Sequence, residues 1–180
     1  MISKELSFLL AVVVLVGLLA APPVLALEQA GTGAAYLGSL AEQRAPDDFD
    51  VTIYFTQPIA VPVMDLGGNV IGEGVHVGAV KCTGDRCRHQ TYLAFDIASE
   101  EPTVYEYKFG TRLALNAEEQ VVVVEGRGVI SGGGQKERFS FTATFRNNGD
   151  GTVFVAYAAS RPDASFIIAS APGSFDISGK

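Results

Sequence analysis

Every cysteine and histidine of the chain lies between residues 76 and 89, so this segment holds the side chains best suited to metal binding or nucleophilic chemistry. They are His76, Cys82, Cys87 and His89. The turn-forming run Thr-Gly-Asp-Arg at 83–86 predicts a hairpin in which Cys82 faces Cys87 on one side. We therefore expect a cross-strand disulfide, whose small loop contributes about 2 kcal/mol of stability in the chain-entropy model.

The same register argues against a metal ion held by all four side chains. His89 is about 7 Å beyond Cys87 along its strand, whereas His76 is about 20 Å from Cys82. A zinc site built from Cys82, Cys87 and His89 stays open, although its spacing matches no usual finger or ribbon. An oxidising compartment favours the disulfide, so we expect no metal and no other cofactor.

His76 is the candidate ligand-binding residue because of its neighbours. The hairpin register places it opposite Leu93, with Gly74 and Gly78 beside it on its own strand. If this face is the interior of a barrel, the missing glycine side chains leave room for a ligand beside the imidazole. The alternative is a core histidine satisfied by one backbone partner. The predicted ligand-binding residues are His76, Leu93, Phe95 and Ile97.

The elements that must position these residues are β-strands, because apolar residues recur with a period of two from Val51 onward. No helical run of ten or more residues follows Leu66, so crossover connections are missing and the strands should pair antiparallel. The sequence therefore predicts an all-β domain, an antiparallel barrel of about eight strands, with a two-sheet β-sandwich as the alternative. The clearest alternating sets are Val51/Ile53/Phe55, Leu93/Phe95/Ile97 and Phe139/Phe141/Phe145.

Two runs, 121–124 and 153–157, are apolar on both faces of the predicted strand. This pattern is expected where one face meets a core and the other meets a covering segment, and it favours the barrel slightly. An outer-membrane barrel is disfavoured, because tryptophan is absent and the doubly apolar strands would give such a barrel an apolar lumen.

The N-terminal part of the chain differs in composition from the β domain that follows it. Residues 1–26 resemble the charged, apolar and small-residue regions of an export signal, with Val24 and Ala26 before the cleavage point. We expect a flexible acidic leader at 27–49 and a single β domain at 50–180. The predicted location is periplasmic or extracellular. An uncleaved anchor at 6–27 is the alternative, and it is the one way in which we expect the protein to meet a membrane.

Composition and turn motifs exclude several functions. The net charge of −7 argues against a nucleic-acid partner, whose phosphates require clustered lysine and arginine. The run NNGDGT at 147–152 lacks the alternating acidic ligands of a calcium loop and predicts a hairpin turn. The run ASRPDASFII at 159–168 predicts a second tight turn, in which Arg161 pairs with Asp163.

These observations favour an exported, non-catalytic domain that binds a small apolar or amphipathic molecule inside a barrel. No catalytic residues are predicted. The first alternative is a structural or surface-interaction module that uses its loops. The second, less favoured alternative is a barrel-cavity enzyme with His76 as its acid or base.

Overall fold

A computed structural model describes residues 49–96 and 99–179 of the chain, and these residues form eight antiparallel strands and one short 3-10 helix. The helix, Pro162–Ala164, lies between the last two strands. The strands are β1 Phe49–Met64, β2 Val70–Thr83, β3 Arg86–Phe95, β4 Thr103–Asn116, β5 Val121–Gly132, β6 Gln135–Asn147, β7 Thr152–Ala159 and β8 Phe166–Gly179.

The eight strands close into a barrel in chain order, with β8 paired to β1. Each consecutive pair is antiparallel. This confirms the prediction made from the lack of helical runs after Leu66. The predicted barrel is therefore confirmed, and the sandwich alternative is not formed. A barrel of this size has an interior just wide enough for side chains to fill it or for one small ligand.

The strands of the barrel wall are longer than the alternating runs in the sequence, because bulges join pieces that look separate. In β1 the three residues Thr56, Gln57 and Pro58 face the single residue Val77 of β2. Proline lacks an N–H and is tolerated in a strand at such an irregularity. Runs that the sequence separates at 51–55 and 60–64 are therefore one continuous strand.

The predicted β2–β3 hairpin is confirmed residue by residue. Cys82 pairs with Cys87 and is disulfide-bonded to it, with Gly84 and Asp85 between the strands. His76 pairs with Leu93, as the predicted register requires. The disulfide closes the tip of this hairpin, and both of its cysteines belong to the apolar core.

Two sets of polar contacts hold the ends of the barrel. At the end where β1 begins, the Arg112 guanidinium donates to the Phe49 carbonyl oxygen at 2.6 Å, and the Arg112 N–H donates to the Asp85 carbonyl at 2.6 Å. At the other end, Arg161 binds Asp163 at 2.7 Å, which confirms the ion pair predicted for this turn.

The main apolar core lies in the barrel interior, and part of the outer wall is buried as well. All four residues of 121–124 are buried, as are Val153, Phe154 and Val155. Phe154 forms a separate outer cluster with Met64 and Ile167. The doubly apolar runs of the sequence therefore correspond to strands that are buried on both faces. No helix within 49–96 and 99–179 is long and apolar enough to cross a membrane.

Gly78 fixes how closely β2 approaches β3. A Cβ at this position would lie 2.0 Å from the carbonyl oxygen of Gln90 and 2.6 Å from the Cα of Thr91, and its φ is +135°. We predict that Gly78→Ala lowers the free energy of unfolding by about 3 kcal/mol, because backbone rather than a side chain must move. Urea denaturation measures this loss.

The matched control is Gly149→Ala in the β6–β7 turn. Gly149 also has a positive φ, +79°, but a Cβ there meets nothing within 4 Å. Gly149→Ala should lower the free energy of unfolding only by the conformational penalty of a positive φ, about 1 kcal/mol. Equal losses for the two variants would show that the close β2–β3 approach is unimportant.

Candidate functional site

Four polar aromatic side chains that point into the barrel interior and are at most 4% exposed form the candidate site. They are His76, His89, Tyr107 and Tyr157, carried by β2, β3, β4 and β7, and they are 1%, 4%, 1% and 0% exposed. In a strand, alternate residues face the same side, so a polar residue on an inward position has to enter the core. We call these four residues the interior quartet.

Ring contacts connect the interior quartet across the barrel. The Tyr107 and Tyr157 rings stack with centroids 3.9 Å apart. The His76 ring lies 6.4 Å from that of Tyr157, and both Tyr107 and His89 contact Phe141, at 4.9 and 5.3 Å. The polar atoms of the interior quartet are thus distributed along the barrel interior and surrounded by aromatic rings.

None of the polar side-chain atoms of the interior quartet has a hydrogen-bond partner among the described residues. This holds for both ring nitrogens of His76 and of His89 and for the hydroxyls of Tyr107 and Tyr157. The expectation that a backbone group satisfies His76 is therefore wrong. A buried polar group without a partner costs about 1–3 kcal/mol, so the interior quartet carries an unusual number of unmet hydrogen bonds.

Burial keeps the interior quartet uncharged. Desolvation lowers the pKa of His76 to about 3 and that of His89 to about 4, so both imidazoles are neutral at pH 7. Desolvation also raises the pKa values of Tyr107 and Tyr157 above the ordinary value, so both remain phenols. Together they offer N–H and O–H donors and nitrogen and oxygen acceptors, with no formal charge.

An aromatic cluster lies between the interior quartet and the end of the barrel where β3 and β7 end. Tyr105 and Phe166 contact edge to face at 5.1 Å, and partly buried Phe95 touches both, at 5.7 and 6.1 Å. Phe166 also contacts Tyr157, at 6.0 Å. We call Phe95, Tyr105 and Phe166 the aromatic mouth.

The residues predicted from sequence fall into three places. His76 belongs to the interior quartet, Leu93 is a fully buried core residue, and Phe95 belongs to the aromatic mouth. Ile97 lies outside the described residues. Leu93 packs beside His76 because the two residues pair across β2 and β3.

The glycines beside His76 do not leave the room that the sequence suggested. A Cβ on Gly74 would lie 2.7 Å from the Cδ1 atom of Leu93, so the leucine side chain already occupies that space. The space at Gly78 is occupied by the backbone of β3. This part of the sequence interpretation is wrong, because β-strands in a barrel pack neighbouring groups into the gaps that glycines leave.

The described residues contain no group of three or more histidine, cysteine, aspartate or glutamate side chains able to hold a metal ion. Cys82 and Cys87 are bonded to each other, so the zinc site considered from sequence would require reduction of the disulfide. His89 points into the aromatic core, where Phe141 and Phe145 contact its ring.

Sequence reasoning missed three members of the interior quartet. His89 is two residues from Cys87 on the same face, so the hairpin register contained the signal. Tyr157 follows Val153 and Val155 with a period of two, which also marks it as inward. Tyr107 follows Tyr105 with a period of two and alternates with charged Glu106 and Lys108, which likewise marks it as inward.

Comparison with known proteins gives no match, since no family model, no curated protein and no solved structure is significantly similar to this chain.

Because His76 and His89 are buried in neutral form, we expect the fold to lose stability in acid. Their pKa values are lower in the folded state than in the unfolded state, so the unfolded state binds more protons below pH 6.5 and stability is lost as the pH falls. From pH 7 to pH 5 we expect a loss of about 2 kcal/mol per histidine, measured by urea denaturation. The variant His76→Leu/His89→Leu should lose most of this dependence, and an unchanged slope would contradict the account.

Proposed function

We propose that the barrel binds a small, neutral, amphipathic molecule, whose apolar part contacts the aromatic mouth and whose polar end hydrogen-bonds to His76 and Tyr157. The observation that carries this proposal is the interior quartet, whose polar atoms are buried without protein partners. A ligand that supplies those partners removes a cost of about 1–3 kcal/mol per group.

The electrostatics of the interior support a neutral ligand. The buried histidines and tyrosines are uncharged at pH 7, and a charged ligand group would enter the apolar core without a counter-ion. Phe95 supports an approach through the aromatic mouth, because it is only partly buried while Phe166 behind it is 1% exposed.

We rank a barrel-cavity enzyme below binding. The pKa of His76 is displaced, as at many functional sites, but burial alone causes the shift, and a pKa of about 3 makes the imidazole a weak base at pH 7. No buried carboxylate among the described residues orients the imidazole, and its nearest ring neighbours are Phe55 and Tyr157. A general base needs a partner that fixes its tautomer and its orientation.

Paired tyrosine variants test the proposal. Tyr107→Phe/Tyr157→Phe removes two unpartnered hydroxyls and keeps both rings. We expect the free energy of unfolding of the free protein to rise by about 1 kcal/mol or more in urea denaturation, because two buried hydroxyls without hydrogen-bond partners are removed. Its affinity for the neutral fluorescent probe N-phenyl-1-naphthylamine should fall by about tenfold, since the ligand loses hydrogen-bond partners.

The control is Tyr54→Phe, which makes the same chemical change on an outward residue that is 52% exposed. It should alter neither stability nor probe affinity. If the wild-type protein shows no saturable fluorescence increase with the probe, or if the paired variant binds it as well as wild type does, binding by the interior quartet is contradicted.

A second candidate is the surface-interaction module considered from sequence. Leu66, Val70 and Ile71 lie in or beside the β1–β2 turn and are 47%, 71% and 53% exposed. Exposed apolar residues that form a patch mark contact sites in many proteins. Failure of the probe to saturate would favour this candidate over the first.

We also propose that the domain acts outside the cytoplasm after cleavage of residues 1–26. The support is the sequence pattern before Ala26 and the disulfide between Cys82 and Cys87, which persists in oxidising compartments. N-terminal sequencing of the exported protein should begin at Leu27. A sequence that begins at residue 1 or 2 would instead indicate the anchored form.

A further inference from the structure

Two neighbouring grooves on the outer wall of the barrel collect positive charge. One groove, of about 360 Å³, lies over β3 and β4, and the other, of about 610 Å³, lies over β4, β5 and β6, with Lys108 lining both. The residues that line the first include Arg88, Gln90, Tyr92, Glu106 and Lys108. Those that line the second include Lys108, Arg127, Arg138 and Ser140.

The charge of these lining residues is opposite to that of the protein. They include four of the 13 lysines and arginines, and one of the 20 aspartates and glutamates, of a chain with a net charge of −7. Charges on the rest of the surface are screened beyond about 8 Å at physiological ionic strength, so the local positive potential dominates at the grooves.

The pairing of the strands places the cations side by side. Arg127 of β5 pairs with Ser140 of β6, and Val129 pairs with Arg138, so the two arginines are diagonal neighbours on the outer face. Lys108 projects at a bulge where it faces both His89 and Gln90 of β3. The bulge turns Lys108 toward both grooves, because an extra residue re-aims the side chains around it.

The two arginines have guanidinium groups available for a ligand. Neither Arg127 nor Arg138 forms an ion pair with any carboxylate that the structure describes, and both are exposed. The carboxylates near the grooves are engaged, since Glu106 binds Lys108 at 3.2 Å and Glu137 binds Arg161. Glu125 lies two residues from Arg127 and bounds the positive region on β5.

We propose that this surface binds a short acidic oligosaccharide, with Arg127 and Arg138 holding its carboxylates. The guanidinium fork matches a carboxylate in two parallel hydrogen bonds. Gln90, Ser140 and the 40% exposed ring of Tyr92 provide the polar and flat surfaces that hydroxyl-rich sugar rings require. Four strands at about 4.8 Å spacing span about 15 Å, which suits several sugar units rather than a single ion.

The closed barrel argues against an acidic peptide as the partner. A peptide in extended form binds most readily by adding a strand to a free sheet edge. In this barrel β3, β4, β5 and β6 are each paired on both sides, so the described strands offer no free edge at the grooves, and a ligand there has to be recognised by side chains. Nucleic acid remains disfavoured by the acidic chain.

Calorimetric titration with hexagalacturonate tests the proposal on the exported protein. We expect saturable binding that weakens as NaCl rises from 50 to 300 mM, because exposed charges carry it. Arg127→Gln/Arg138→Gln should weaken binding by about tenfold or more, since charge-assisted hydrogen bonds are lost. Both side chains are exposed, so the thermal midpoint should not change, and this shows that the variant is folded.

Lys136→Gln is the matched control, because Lys136 is exposed at the β5–β6 turn and lines neither groove. It should keep binding within twofold of wild type. The proposal is overturned if wild type does not bind hexagalacturonate, if the double variant binds as wild type does, or if Lys136→Gln causes an equal loss. Equal binding of hexaglutamate would overturn the saccharide class.

Discussion

Closure of eight strands into one barrel is the constraint from which the other features follow. Once β8 pairs with β1, the main-chain N–H and C=O groups of the paired residues are used in the ladders between strands. A large polar side chain on an inward position is then kept from water and has few backbone groups within reach, whereas the short Thr91 side chain does donate to the Ala79 carbonyl. His76 and Tyr157 are therefore buried among aromatic rings with their polar atoms unpartnered, which would be avoidable in an open sheet.

The two faces of the barrel wall have opposite electrostatic character. Inside, desolvation keeps imidazoles and phenols neutral, so the interior offers hydrogen bonds without charge. Outside, the grooves around Lys108 concentrate cations in an acidic chain. His89 and Tyr107 lie between these regions, because their residues border the groove over β3 and β4 while their side chains point inward into the interior quartet. A ligand inside the barrel and a ligand in this outer groove would thus contact opposite faces of the same strands, β3 and β4.

The sequence was most informative where local chemistry determines geometry. The pairings of Cys82 with Cys87 and of His76 with Leu93 could be predicted, because a short turn determines the register of a hairpin. The ion pair between Arg161 and Asp163 could be predicted for the same reason. Strand alternation predicted about eight antiparallel strands, and the doubly apolar runs at 121–124 and 153–157 favoured a barrel slightly over a sandwich.

Features that depend on contacts between distant strands could not be predicted. The bulges at Pro58 and at His89 join or shift strands, and a single sequence does not reveal which partner a strand will meet. The filling of the Gly74 gap by Leu93 depends on how tightly β2 and β3 pack. Tyr107 and Tyr157 come from strands far apart in sequence, so their stacking depends on barrel closure.

A high-resolution crystal structure of the exported protein, purified without added ligand, would show what surrounds the polar atoms of the interior quartet. We expect electron density that does not belong to the protein, from a bound molecule or an ordered water, within hydrogen-bond distance of His76 Nε2 or Tyr157 Oη. An interior in which protein atoms partner every polar atom of the interior quartet, with no other density, would contradict this expectation.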